Sequence, residues 1–418
     1  MKILDCHEIS TDTGFTASAR VEPEGAGTAF ELRFSVEGAP RPTDRRGDSY
    51  AVGMLAACMF EAEDMSLDRP ISATLSGNLA QAQTILSSWY ADLAPVAIRS
   101  GERDTEPPMR RLGGVACCFT AGVDSWYSLL RNEARVTHLL LVRGFDIGLK
   151  NDRLWDMTRQ RVGSVAERLG KRLITCETNL RQLSDKGRCS WGRTYPGDFW
   201  GRCLHGAALA SVGLFLSEAV GSVIVPATHS YRQLKAWGSS PLLDPLWSGD
   251  LVEFVHDGCE ASRIEKIRTI SGCDLALATL RVCYGDTLEY NCGRCEKCLR
   301  TLLALRLFGA LDRAGTFPDG LDLGRVRRLA PPRHVAHHYD DLLAEARRVG
   351  DGAAARAVEA AIGRRISPTH TLARLKRAAR ANSRRARAAS LFERVRGLSL
   401  PRRRPSGPPP GDRRPARS

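Results

Sequence analysis

The stretch Val115-Ala116-Cys117-Cys118-Phe119-Thr120-Ala121-Gly122-Val123-Asp124-Ser125-Trp126-Tyr127-Ser128-Leu129-Leu130 decides the fold. Five apolar residues in a row read as a buried strand, the small polar residues after them as a tight turn, and the run from Trp126 as a helix. Glycine lets a backbone approach an anion, Thr120 and Ser125 bring hydroxyls, and the start of a helix carries the positive end of its dipole. Phe119, Thr120, Ala121, Gly122, Val123, Asp124 and Ser125 therefore read as a phosphate cradle. No lysine follows the glycine, so it is not a Walker-type loop. The competing reading is an ordinary strand-to-helix turn with Asp124 or Ser125 as helix cap.

Downstream the pattern repeats. Residues 136–142 read as a strand ending at Arg143-Gly144-Phe145-Asp146, 154–169 as a helix, 173–176 as a strand, 201–220 as a long helix, and 222–226 as a strand ending at Ala227-Thr228-His229-Ser230. Alternating strands and helices predict an α/β fold: a parallel sheet covered on both faces, with a ligand crevice at the C-terminal ends of the strands. The turns at 120–125, 143–146 and 227–230 then gather on one rim, with Gly144, Asp146 and Thr228 as further binding candidates.

Upstream, residues 1–110 read as a separate α+β domain, with a strand at 29–36, a helix near 50–60 and another near 78–90. Cys6 and Cys58 read there as buried small residues, and 100–111 as a linker. The nucleotide-type domain spans 111–330, helices follow at 331–367, and a basic, largely disordered tail occupies 368–418.

The 418 residues carry a net charge of +14. From residue 364 onward there are 17 Lys or Arg against Glu393 and Asp412 alone, so the globular part is close to neutral. The tail is thus a candidate for weak contact with nucleic acid or another anionic surface, whereas a wholly basic nucleic-acid-binding body is excluded. No apolar stretch is long enough for a transmembrane segment, and the first residues lack a signal peptide's apolar core, which points to the cytoplasm. Thirteen cysteines in a reducing compartment argue for thiols and a metal site over disulfides.

Four of them, Cys283, Cys292, Cys295 and Cys298, follow the spacing C-x8-C-x2-C-x2-C. Core packing does not need that spacing, but four thiolates close tetrahedrally on Zn²⁺. The last cysteine runs into a helical stretch without the Cys-Pro of ferredoxin-type clusters, which favours zinc over iron and sulfur, in a structural role.

Together these pieces resemble the PP-loop ATP pyrophosphatase superfamily and, within it, the 7-cyano-7-deazaguanine synthase family. The 119–125 turn is similar to the superfamily's Ser-Gly-Gly-x-Asp-Ser loop, Trp200-Gly201-Arg202 to the family's Pro-Gly-Arg-Asn, and Lys266 to its lysine before a helix. Cys283-Tyr284 with Cys292-Gly293-Arg294-Cys295-Glu296-Lys297-Cys298-Leu299-Arg300 resembles its zinc site. The resemblance covers about 113–310 and implies a Rossmann-like (HUP-type) domain with ATP, Mg²⁺ and Zn²⁺. It implies a ligase that adenylates a small-molecule or peptide carboxylate, releasing pyrophosphate, before a nucleophile displaces AMP.

In that scheme Asp124 and Ser125 act on the phosphates or Mg²⁺, and Lys266 and Arg202 balance developing charge. Where the family has Ser-Gly-Gly this chain has Thr120-Ala121-Gly122, which alters the pocket if the replaced glycine needs positive φ. Gly144-Phe145-Asp146 stands in place of the synthases' substrate stretch, which implies a different acceptor. Modification or thiolation of tRNA, and a nucleotide-binding module without turnover, are the alternatives.

Overall fold

The computed structural model describes residues 1–25, 27–43, 46–101, 110–185, 199–283 and 289–366. The tail at 368–418 and most of the 100–111 linker lie outside the described residues. The strands are β1 (Lys2–Ser10), β2 (Gly14–Glu22), β3 (Phe30–Glu37), β4 (Met65–Leu67), β5 (Ile98–Arg99), β6 (Val115–Cys118), β7 (His138–Arg143), β8 (Arg172–Thr178), β9 (Ser222–Pro226) and β10 (Glu253–Asp257). They form one 10-stranded sheet in the order β10-β9-β6-β7-β8-β3-β2-β1-β4-β5.

From β10 to β8 every pairing is parallel. The chain steps outward from β6 through β7 and β8, then returns to the far side of β6 for β9 and β10. That reversal opens a crevice between the C-terminal ends of β6 and β9. β6 and β7 are buried along their whole length, as strands covered on both faces must be. Alternate residues serve opposite layers: Ala116, Cys118, Leu140, Val142, Val223 and Val225 face one core, and Cys117, Leu139, Leu141 and Ile224 the other.

The helices are α1 (Asp48–Glu61), α2 (Ala73–Trp89), α3 (Val123–Arg131), α4 (Asp152–Arg168), α5 (Leu180–Asp185), α6 (His205–Leu214), α7 (Arg263–Ile270), α8 (Asp274–Thr279), α9 (Glu296–Leu307), α10 (Leu323–Arg328), α11 (Ala336–Arg348) and α12 (Gly352–Ile366). α1 and α6 lie in the first core, and α3, α4, α7, α9, α11 and α12 in the second. The helix expected over 201–220 is a π-helical turn, Trp200–Leu204, followed by α6. It ends early because the chain tightens beyond Leu214, where Phe215 and Leu216 bond three residues back, to Val212 and Gly213.

The expected break near residue 110 is not a break in the sheet. β3 pairs antiparallel with β8, Phe34 opposite Thr178 and Glu37 opposite Thr175. Phe34 packs 4.9 Å from Phe215, and Tyr50 of α1 stands edge-on 5.3 Å from the same ring. Without β3, β8 would present an unpaired edge, so the N-terminal strands extend the parallel sheet and do not stand apart as an α+β unit. Cys6 and Cys58 are buried in this core. Among the described residues no helix is long and apolar enough to cross a membrane.

Candidate active-site rim and metal centre

β6 delivers the 119–125 turn to the rim. Phe119 is fully buried, with Trp126 edge-on at 5.0 Å. Ala121, also fully buried, is held at φ 57, a left-handed conformation that costs an L-residue about 1–2 kcal/mol. Its carbonyl accepts a hydrogen bond from the Arg281 backbone at 2.8 Å, which helps fix the turn. Gly122, not Asp124 or Ser125, is the N-cap of α3. Ser125 is buried and its hydroxyl donates back to the Gly122 carbonyl at 3.1 Å. A side chain at Gly122 would crowd the Thr120 hydroxyl, 3.3 Å from the added Cβ.

Asp124 is the electrostatic centre. Its Oδ1 lies 3.2 Å from Lys266 Nζ and its Oδ2 2.9 Å from an Arg263 nitrogen. Lys266, buried to 1% exposure, also donates to the Ala227 carbonyl at 2.6 Å, tying the β6 and β9 turns together. A capping box between Ser262 and Glu265 starts α7 and sets Arg263 and Lys266 one turn apart on the same face. Burial alone would raise the Asp124 pKa, but Arg263 and Lys266 outweigh it and hold the carboxyl below its ordinary range. With one cation on each oxygen, Asp124 anchors Arg263 and Lys266 in place.

The β7 turn reaches the same place: Asp146, half-buried, stands in the field of Lys297, whose pKa burial and then Arg263 push down to about 7. Gly144 has an architectural role, because at φ 100 its missing Cβ would sit 2.0 Å from the Thr178 carbonyl. Thr228 is half-buried in the β9 turn. Arg202 lays its guanidinium 4.2 Å over the Tyr90 ring, engaging the N-terminal elements.

Several residues of the rim escape motif reading. Arg263 adjoins Lys266, and Lys297 and Arg300 lie inside the cysteine motif, so their positions carried a signal. His229 lies in the 227–230 turn that the sequence places on the rim, whereas His337 and His338 carried no signal. Burial and Lys235 drive the His229 pKa down to about 4; burial and Arg300 depress His337 and His338.

The four cysteine sulfurs lie within 4.8 Å of one another, with Cys283 to Cys295 and Cys292 to Cys298 each at 3.9 Å. A tetrahedron of Zn–S bonds of about 2.3 Å has edges of about 3.8 Å, so the four can hold a metal ion such as zinc. Backbone N–H groups of Cys295 and Cys298 point at the sulfurs of Cys292 and Cys295, at 3.3 and 3.5 Å. Such contacts stabilise thiolate, and hydrogen bonding led by Cys298 draws the Cys295 thiol down to about 5. Cys295 also caps α9, which carries Lys297 and Arg300 toward Asp124.

Compared with known proteins, the chain matches no protein family, no curated protein and no solved structure.

Proposed function

We propose that the chain is an ATP-dependent ligase-type enzyme with a Rossmann-like, PP-loop core that adenylates a carboxylate, resembling 7-cyano-7-deazaguanine synthase but acting on a different acceptor. The observation that carries this reading is the Asp124, Lys266 and Arg263 cluster at the start of α3, in the crevice where the strand order reverses. A left-handed Ala121 supports it further: the turn keeps a shape that alanine disfavours, which a decayed loop would have no reason to hold.

In this reading the turn and the first turn of α3 receive the nucleotide phosphates. Lys266 and Arg263 meet the charge that grows on the leaving pyrophosphate, and Asp124 keeps both cations aimed. Preorganised cations at developing charge act without reorganisation at the moment of reaction. The four-cysteine centre holds zinc as a structural ion and fixes α9, so that Lys297 and Arg300 complete the positive wall.

ATP–pyrophosphate exchange with a panel of carboxylic acids tests this. Lys266→Ala and Asp124→Ala are each expected to slow exchange about 100- to 1000-fold, the scale seen when one transition-state donor is removed. Absence of adenine nucleotide binding by calorimetry, with Mg²⁺ present and the metal centre filled, would defeat the proposal.

A further inference from the structure

Around Arg263, side-chain nitrogens sealed from solvent and lacking any hydrogen-bond partner come from turns and helices far apart in sequence. They are Arg263 Nε, Arg300 Nη1, His229 Nε2, Trp237 Nε1, His337 Nε2 and His338 Nδ1. The groups share one neighbourhood: Arg300, Arg263, His337 and His229 all act electrostatically on His338, and Lys235, Arg263 and His337 on His229. The His229 and Trp237 rings stand edge-on at 5.9 Å, and the His337 and His338 rings lie 3.9 Å apart.

Arg263 pairs with Asp124 at 2.9 Å and Arg300 with Glu296 at 3.1 Å, while Arg263 Nε and Arg300 Nη1 are buried without a partner. A buried polar group left unsatisfied costs about 1–3 kcal/mol, and several such nitrogens beside an excess of cations are matched by an oxyanion. Lys235 and Lys266 add positive charge, and Lys297, with its depressed pKa, part of a charge, against Asp124, Asp146, Glu296 and Asp340.

We propose that this cluster of unpartnered nitrogens, to which α11 contributes His337 and His338, is a second oxyanion subsite that anchors an acidic group of the acceptor while the 119–125 turn holds the nucleotide. The acceptor is then a polyacid: one carboxylate is activated, and a further carboxylate or phosphoryl group binds here. Assignment to the acceptor rests on the nucleotide reading of the turn; the oxyanion pocket itself does not.

The test is calorimetry on the full-length, zinc-loaded chain with inorganic phosphate and, separately, citrate, each with and without a saturating non-hydrolysable ATP analogue and Mg²⁺. One probe is expected to bind at a single site with the analogue present, and which probe binds separates phosphoryl from carboxylate anchoring. Arg300→Lys and His338→Gln should each weaken the probe about tenfold or more, the loss of one charge-assisted contact, and His338→Gln, which lies outside the nucleotide's positive wall, should do so with analogue affinity and melting temperature unchanged. Failure of both probes, displacement of the probe by the analogue, or indifference to both substitutions would overturn the subsite. A probe that binds and is weakened by the variants while the analogue does not bind would uphold the pocket and overturn the nucleotide reading.

Discussion

Ala121 sits at φ 57 with no exposed surface, so Ala121→Gly removes backbone strain without adding a functional group. Relief of about 1–2 kcal/mol, less the extra freedom glycine gives the unfolded chain, should leave a net gain of roughly 0.5–1 kcal/mol, read as a raised melting temperature. A fall would mean that the turn is not strained. His256 offers a second residue-level check. Its Nδ1 lies 2.6 Å from Asp244 Oδ2, both side chains buried. Burial alone would depress the imidazole, but hydrogen bonds to Asp244 and Cys259 outweigh it and raise its pKa to about 9. A folded pKa above the unfolded value contributes stability that is complete below about pH 6.5 and is lost as pH rises through about 9, on the order of 3 kcal/mol in all. Denaturant midpoints should therefore fall from pH 6 to pH 9.5 by more in the wild type than in His256→Gln. At this scale Asp124 and Lys266 were legible because each stands in a short motif with a chemical reason. His337 and His338 were not, because two adjacent histidines on a helix say nothing until packing brings Arg263 and Arg300 to them.

α9 combines two roles in one turn: Cys295 and Cys298 face the metal site, while Lys297 and Arg300 lie in the field of Asp124. Stripping the metal, or replacing Cys298 with Ser, should lower stability by several kcal/mol or more, because a closed thiolate site couples metal binding to folding. Metal analysis should return one zinc per chain, and an iron–sulfur absorption band or an empty site would refute the assignment. Elements with strong local signals were readable in the sequence: β9 at 222–226, β6 after its apolar run, and α11 and α12 from their helical spacing. β1 and β10 were not read, since their alternation is broken by polar residues that only a neighbouring strand makes sense of; β2 was missed although Phe15, Ala17, Ala19 and Val21 alternate with polar residues. The pairing of β3 with β8 could not be read either, because hydrophobic periodicity is local and register across so long a gap is set by packing.

Across the whole molecule, that pairing makes the N-terminal strands and the parallel core one sheet with shared buried faces. Unfolding of full-length protein should follow a single transition, coincident by tryptophan fluorescence and far-ultraviolet circular dichroism. Residues 111–418 produced alone should aggregate, with β8 and the apolar face beneath α6 uncovered. Two separated transitions, or a soluble and cooperatively folding fragment, would contradict this. The seam also has a consequence for synthesis on the ribosome. Phe34 waits for Thr178, a gap on the order of 140 residues, which at translation rates of about 5–20 residues per second lasts on the order of 10 s. Throughout that interval the nascent β1–β3 meander has an open edge at β3, so the start of this chain is where a cotranslational chaperone would be needed.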